Sequence, residues 1–472
     1  MSEAHWLTGV AHKRFVIVTC LLYLIDHVRG QPTVHSLDLH PHDSNWRLEK
    51  LRKKFLDSFA LICSTSRVGG DTASAVCLEQ GHPSGNVLRL ARNLGVPPDL
   101  VDQLQLILHD LTAVASKEKS VKDGEFEILL KIIKLTGDKI WSLLEQLRDP
   151  EIHATVRRKI SALRTDEAYL DDGEKADFQQ WIAILPSMIS LSSDAMPVQL
   201  VPHMIWAAQA RWKYSERIES LFCSDEEEMP LWIKHIYKLA RYHSATKAMV
   251  KLATRQPDIF TSIHVEAVEA PGQQRFSLAN DITALRTTLQ RLTKTDPGSL
   301  VEKLGQTWLT DDPEARFRKA CRLNLTVHAE MQLLTFYDHN PDLTPRLLFM
   351  GTSKKVCFLC HNFLSRHPLA IGVSASHQKL YPTWMPAPCS SSVRKKHKTL
   401  LWDLNRHLEE TVLRDLETRL GVRRPVHMDS TAGPSLTTTG TFSSFSSAME
   451  LPIRSELVED QGPSSDTGII TE

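Results

Sequence analysis

The chain has 472 residues, too many for one ordinary domain and enough to bury a sizeable core without cross-links. Its 56 lysines and arginines balance 56 aspartates and glutamates, which excludes a protein drawn to polyanions by net charge and leaves only local patches to argue from. Eight cysteines scattered over this length do not make a disulfide framework. Only Cys357 and Cys360 stand close enough to act together, and the dispersed remainder points to a reducing compartment, cytoplasmic or nuclear.

Residues 1–42 form an N-terminal segment with no assigned role. Within it the apolar run 15–25 (FVIVTCLLYLI) follows Lys13 and Arg14 and imitates a secretory signal. It is too short to span a bilayer, and no small-x-small cleavage site follows, so a buried helix or strand is expected. No other stretch reads as membrane-spanning, and no membrane partner is expected. Residues 43–223 read as a helical accessory domain. Pro98 and Asp99 open a segment with Leu100, Leu104, Leu108 and Leu111 on one face. A second stripe runs through Phe126, Leu129, Leu130, Ile133, Ile140, Leu144 and Leu147, and Asp149-Pro150 ends it. Further helical patterns cover 181–189 and 203–221. The stripes read as the core of a bundle, and nothing in them names a protein partner.

The run SDEEE at 224–228, followed by Met229-Pro230, marks a boundary. Beyond it the expected elements are a helix over 231–253, a strand over 262–268 and a helix over 276–292. A short apolar stretch at 323–327 and a helix over 330–337 come next. They are followed by a strand over 346–351 (RLLFMG), a helix over 358–365, a strand over 369–373 and a helix over 400–420. This alternation predicts an α/β domain over 229–420, with a mostly shared sheet covered on both faces. From 421 to 472 the chain is rich in Ser and Thr and reads as a disordered tail.

Two short stretches carry chemistry: Val327-His328-Ala329-Glu330 and Val356-Cys357-Phe358-Leu359-Cys360. Zinc favours thiolate and imidazole, and a catalytic zinc keeps three protein ligands and one open position. His328, Cys357 and Cys360 supply three. Two cysteines three apart at a helix start point the same way, and the free backbone N–H groups there favour the thiolate. Glu330, two residues past the histidine, is placed to take a proton from zinc-bound water and pass it to a leaving group. Zinc lowers the pKa of its water from ~15.7 to roughly 7, so hydroxide can add to an amidine-like ring carbon and expel ammonia.

H-A-E followed by C-x-x-C, with an apolar strand between, resembles the cytidine deaminase-like superfamily. Residues 325–382, including GTSKKVCFLCHNFL and KLYPTW, look like its fungal-type branch of nucleic acid or nucleotide deaminases, related to bacterial toxin deaminases. The resemblance covers residues 229–420, and the helical half looks like a companion region of that branch. It implies a three-layer α/β/α fold, a Zn2+ cofactor and a nucleobase-containing substrate, either a free nucleotide or nucleic acid. Val356 stands where the superfamily usually has proline, which removes a fixed turn but no ligand.

Other residues carry weaker expectations. His377, Lys379, Tyr381 and Trp384 are candidates to wall a base-binding pocket by stacking and hydrogen bonding, against a plain surface loop with a buried tryptophan. RKKHK at 394–398 suits phosphates or a nuclear address, against a solvated approach to the following helix. The rival to catalysis is a non-catalytic interaction protein with a structural zinc site, which asks for a fourth protein ligand from His361, His367 or Cys389. C-x-x-C-H also spells haem attachment, but that reading leaves His328 and Glu330 unused.

Overall fold

A computed structural model describes residues 4–38, 46–165, 173–192, 195–223, 229–278 and 281–424. The acidic run at 224–228 and the tail from 425 onward lie outside the described residues. The chain opens with helices α1 (Val10–Ile25) and α2 (Trp46–Cys63), then a hairpin of β1 (Ser74–His82) and β2 (Gly85–Arg92). Helices α3 to α10 follow between residues 98 and 222, and α11 is Leu231–Arg255. Strands β3 (Ile263–Ala267) and β4 (Gln274–Phe276) precede helices α12 to α14, which lie between residues 284 and 320. The last part runs β5 (Leu323–Val327), α15 (Ala329–His339), β6 (Phe349–Thr352), α16 (Phe358–Arg366), β7 (Gly372–Val373), β8 (Trp384–Met385) and α17 (Ser391–Thr418).

The fold is mixed α/β, and its strands fall into two ladders. One has the order β3-β2-β1-β6-β7, the other β4-β5-β8. In the larger sheet β1 pairs antiparallel with β2 and β6, while β2–β3 and β6–β7 are parallel. Side chains alternate across a strand. Val76, Leu78 and Phe349 therefore enter one core with α2 and α11, whereas Ala75, Cys77 and Met350 enter a second core with α1, α15 and α16. Helices thus cover both faces of this sheet.

The stretch 43–223, expected to be a mostly helical domain, is mostly helical and also carries this hairpin, which the sequence reading did not place. Residues Ser74–His82 and Gly85–Arg92 are strands, and at their ends beside the tight turn Gly81 and Gly85 take positive φ of 83° and 107°. At Gly85 a side chain would also collide with Ser262, whose carbonyl receives Asn86 N–H at 2.7 Å. The large sheet consequently draws strands from both sides of the acidic run. Elsewhere, β4 occupies the start of the stretch expected to be helical over 276–292, and the helix there begins at Ala284. The 394–398 basic run lies inside α17 rather than before it.

The signal-like run is helix α1, with Phe15 to Leu22 all buried. A helix apolar all round belongs in a core, and α1 packs on α17. The segment is further tied down by a buried ion pair, Arg29 Nη2 to Asp415 Oδ2 at 2.5 Å. No helix among the described residues is long and apolar enough to cross a membrane.

Candidate metal centre

Both ligand stretches follow one local plan, a strand running into a helix. β5 ends at Val327, and His328 is the N-cap of α15. After β6 a short loop leads to Cys357, the N-cap of α16. A helix start leaves backbone N–H groups without intrahelical partners. Cys357 Sγ takes one of them, from Cys360 N at 3.3 Å, and Asn93 Oδ1 takes another, from Ala329 N at 2.8 Å. At Val356 the backbone N–H donates to Ala375 O at 2.9 Å, and the carbonyl accepts from His377 N at 3.1 Å. Proline could not donate that bond, so the turn into α16 is held by a strand-like bridge instead of by a fixed φ.

The two helix starts converge. His328 Nδ1 lies 3.7 Å from Cys357 Sγ and 3.4 Å from Cys360 Sγ. Tetrahedral zinc at its usual bond lengths sets N and S ligands about 3.5 Å apart, so the donor set and its spacing fit the ion. Glu330 Oε2 is 3.6 Å from Cys360 Sγ. Among the described residues this group of ligand atoms comprises His328, Cys357 and Cys360 alone; His361, His367 and Cys389 stand outside it.

Electrostatics divide the two sulfurs. Burial opposes a charge on Cys357, but hydrogen bonding from Cys360 and the His328 imidazole bring its thiol well below the usual range. Burial and the neighbouring Cys357 thiolate push Cys360 up. Burial lowers His328, and the Cys357 thiolate outweighs that and carries it above its usual value. Glu330 is raised by burial, which its attraction to His328 only partly offsets.

A cavity of about 340 Å³ opens beside these groups, with His328, Glu330 and Cys357 in its wall. His377 and Tyr381, expected from the sequence, line it too. Their rings meet edge-on at 5.7 Å, and Tyr381 lies 6.2 Å from His328. Trp384 is a correction: it does not line the cavity. Its ring is fully buried against Phe15 and Phe363, and its Nε1–H donates to Cys360 Sγ at 3.2 Å. It supports a sulfur from behind because β8 pairs with β5 and carries the indole inward.

Sequence reasoning missed other residues of the wall, among them Asp71, Asn93, Gln273, Lys354 and Lys355. Asn93 follows β2, and Gln332 of α15 donates to Arg92 O at 2.9 Å, so the hairpin positions the helix that begins with His328. The signal was present in the apolar runs 75–78 (AVCL) and 87–91 (VLRLA) on either side of Gly81 and Gly85.

A second group with ligand-type atoms is Asp338, His367 and His397. Here Asp338 Oδ2 accepts from His367 Nε2 at 3.0 Å and His397 Nε2 at 2.6 Å, while Lys396 holds Oδ1. His367 Nδ1 accepts Leu369 N–H at 3.3 Å, which leaves its hydrogen on Nε2, facing the carboxylate. These contacts satisfy Asp338 without an ion. They also give two members of the basic run an internal partner.

Residues 327–388 match the family model of an OTT_1508-like deaminase. That segment holds His328, Glu330, Cys357, Cys360, His377, Tyr381 and Trp384, and it supports a deaminase domain over a small part of the chain. No curated protein and no solved structure matches the chain.

Proposed function

We propose that this chain is a hydrolytic deaminase of a nucleobase, with zinc held by His328, Cys357 and Cys360 and with Glu330 moving the protons. The observation that supports it is a three-ligand group beside a half-buried carboxylate, with His328, Cys357 and Glu330 facing one cavity. Residues GTSKKVCFLCHNFL and KLYPTW favour the fungal-type branch within the deaminases. A zinc ion there supplies Lewis acidity that makes water a usable nucleophile at neutral pH.

Burial raises the pKa of the Glu330 carboxyl, the direction that suits a proton carrier. It removes a proton from the attacking water and delivers one to the departing amine. The water oxygen ends on the ring carbon, the C–N bond breaks, and ammonia leaves. His377 Nδ1 accepts Lys379 N–H at 3.0 Å, which makes Nε2 the ring's donor toward a base in the cavity. Tyr381 offers an aromatic wall to the same base. The interaction-scaffold reading asks for a fourth protein ligand, and none of its three candidates joins the group.

Two variants test this reading. Glu330→Gln keeps the shape but removes the proton carrier. Ammonia release from the best substrate in a panel of nucleosides, nucleotides and single strands should fall about 10²–10⁴-fold, with zinc content unchanged. Cys357→Ala should lose stoichiometric zinc in metal analysis. Equal ammonia release by wild type and the Glu330 variant, with zinc bound in both, overturns the proposal.

A further inference from the structure

A second cavity, of about 440 Å³, takes no part in the chemistry above. It sits at the other end of the β1–β2 hairpin, where Gln80, Gly81 and Asn86 belong to its wall. Asn93, beyond the far end of β2, lines the metal cavity instead. A strand advances about 3.3 Å per residue, so roughly 20 Å of chain separates Asn86 from Asn93.

Three guanidiniums reach this cavity from segments remote in sequence: Arg52 on α2, Arg255 at the end of α11 and Arg346 ahead of β6. Arg52 is half-buried, and its Nε–H donates to Gln256 Oε1 at 2.7 Å, a neutral partner that leaves its charge uncompensated. Arg346 lies over Gly81, where an added side chain would come within 2.8 Å of Nη2. The positive φ of 83° at Gly81 favours glycine there, so the hairpin keeps that space clear for the guanidinium. Among the described residues neither Arg255 nor Arg346 has a hydrogen-bond or ion-pair partner. Asp258 is the one carboxylate among the lining residues, and it pairs with none of the three. A cation at a helix C-terminus is favourable by itself, which accounts for Arg255. It does not account for two further arginines brought to the same cavity, since like charges repel without an anion between them.

The composition of the wall narrows the ligand. Apart from Gly81 its apolar members are Pro257 and Ile259, with no aromatic ring for a base to stack on and no greasy surface for a lipid. The frame is set by neutral contacts: Asn86 Nδ2 donates to Ile259 O at 2.8 Å, and Gln256 holds Arg52. An arginine fork matches an oxyanion with two parallel hydrogen bonds. Three forks facing one carboxylate suit a compact ligand with at least two negative charges.

We infer that this cavity binds a small, ring-free polyanion with paired oxyanion groups, held by Arg52, Arg255 and Arg346. The inference goes beyond the deaminase reading and does not rest on it. A diphosphate and a polycarboxylate share the required chemistry.

Full-length, zinc-supplied protein is titrated by calorimetry with pyrophosphate, citrate and orthophosphate at constant ionic strength. Pyrophosphate or citrate should bind one per chain, about tenfold or more tighter than orthophosphate. Arg346→Gln and Arg255→Gln, both at exposed positions, should each weaken that binding about tenfold, with zinc content and thermal midpoint unchanged. Arg346→Lys keeps the charge but not the fork, and should recover only part of the affinity. Arg406→Gln removes the same charge from an exposed position outside the cavity and should change nothing. The tighter of the two polyanions assigns the oxyanion as phosphate or carboxylate. Equal binding heats in wild type and Arg346→Gln, an equal loss in Arg406→Gln, or no one-to-one binding of either polyanion overturns the inference. So does a single-stranded 12-mer that binds tighter than both and weakens in the same variants, because the cavity would then serve a polymer backbone. Ammonia release from the nucleobase panel decides the deaminase reading separately, and either result there leaves this test intact.

Discussion

Asp57 on α2 is buried and accepts hydrogen bonds from Thr352 N–H at 3.1 Å and from the Ser374 hydroxyl. Burial still dominates, raising its carboxyl from the usual 3.8 to about 7 against those bonds and the Arg241 charge. The native state therefore holds a proton that the unfolded chain has lost between those values. Its stabilising contribution is complete below pH 3.8 and is lost as pH rises to about 7. Asp57→Asn should flatten this slope, so that the stability difference between pH 5 and pH 8 shrinks by roughly 2–3 kcal/mol in urea titrations. An identical slope in the variant would assign the proton elsewhere. His328, Glu330, Cys357 and Cys360 were legible because each pair is local and sits at a helix start. Asp57 and Thr352 are 295 residues apart in the chain, and no spacing rule connects them.

At the scale of elements, β6 is the pivot between the two halves. Gly351 lies directly on α2: an added Cβ would run into the Leu56 carbonyl and fall 2.6 Å from the Asp57 backbone nitrogen. Backbone cannot give way as a flexible side chain does. Gly351→Ala should cost on the order of 3 kcal/mol by forcing the strand and helix apart. A lower urea midpoint at unchanged m-value would show it, and an unshifted midpoint would mean the contact is looser than described. At the other end, Asp338 on α15 joins His367, at the end of α16, to Lys396 and His397 on α17. The apolar run at 346–351 was legible as a strand and the run at 15–25 as a buried helix or strand, since density of apolar residues is a local property. The strand expected over 369–373 is present as the two residues of β7, whereas β4 and the two-residue β8 went unread, because so short a strand is defined by its partner and not by its own pattern.

For the molecule as a whole, the large sheet decides what folds with what. Removing the first half strips β1 and β2 from β6 and β3 and takes away α1 from behind Trp384. Val76, Leu78, Leu88 and Leu90 alone bury four large side chains, at about 1.5–3 kcal/mol each. That loss is comparable with the whole net stability of a typical domain, about 5–15 kcal/mol. Residues 229–424 expressed alone should therefore show no cooperative unfolding transition and hold no stoichiometric zinc, as read by circular dichroism and metal analysis. A fragment that melts cooperatively with bound zinc would contradict this dependence. The His328, Cys357 and Cys360 cluster, the Glu330 carboxylate beside it, the α/β class and the mostly helical first half all follow from short-range pattern, because motif spacing and helical periodicity are written within a few residues. Tertiary structure alone brought Asn93 to the start of α15, turned Trp384 onto Cys360, and set Lys354 in the cavity wall. Each of these depends on strand pairing between distant segments, and pairing energy comes from burial that no single segment carries.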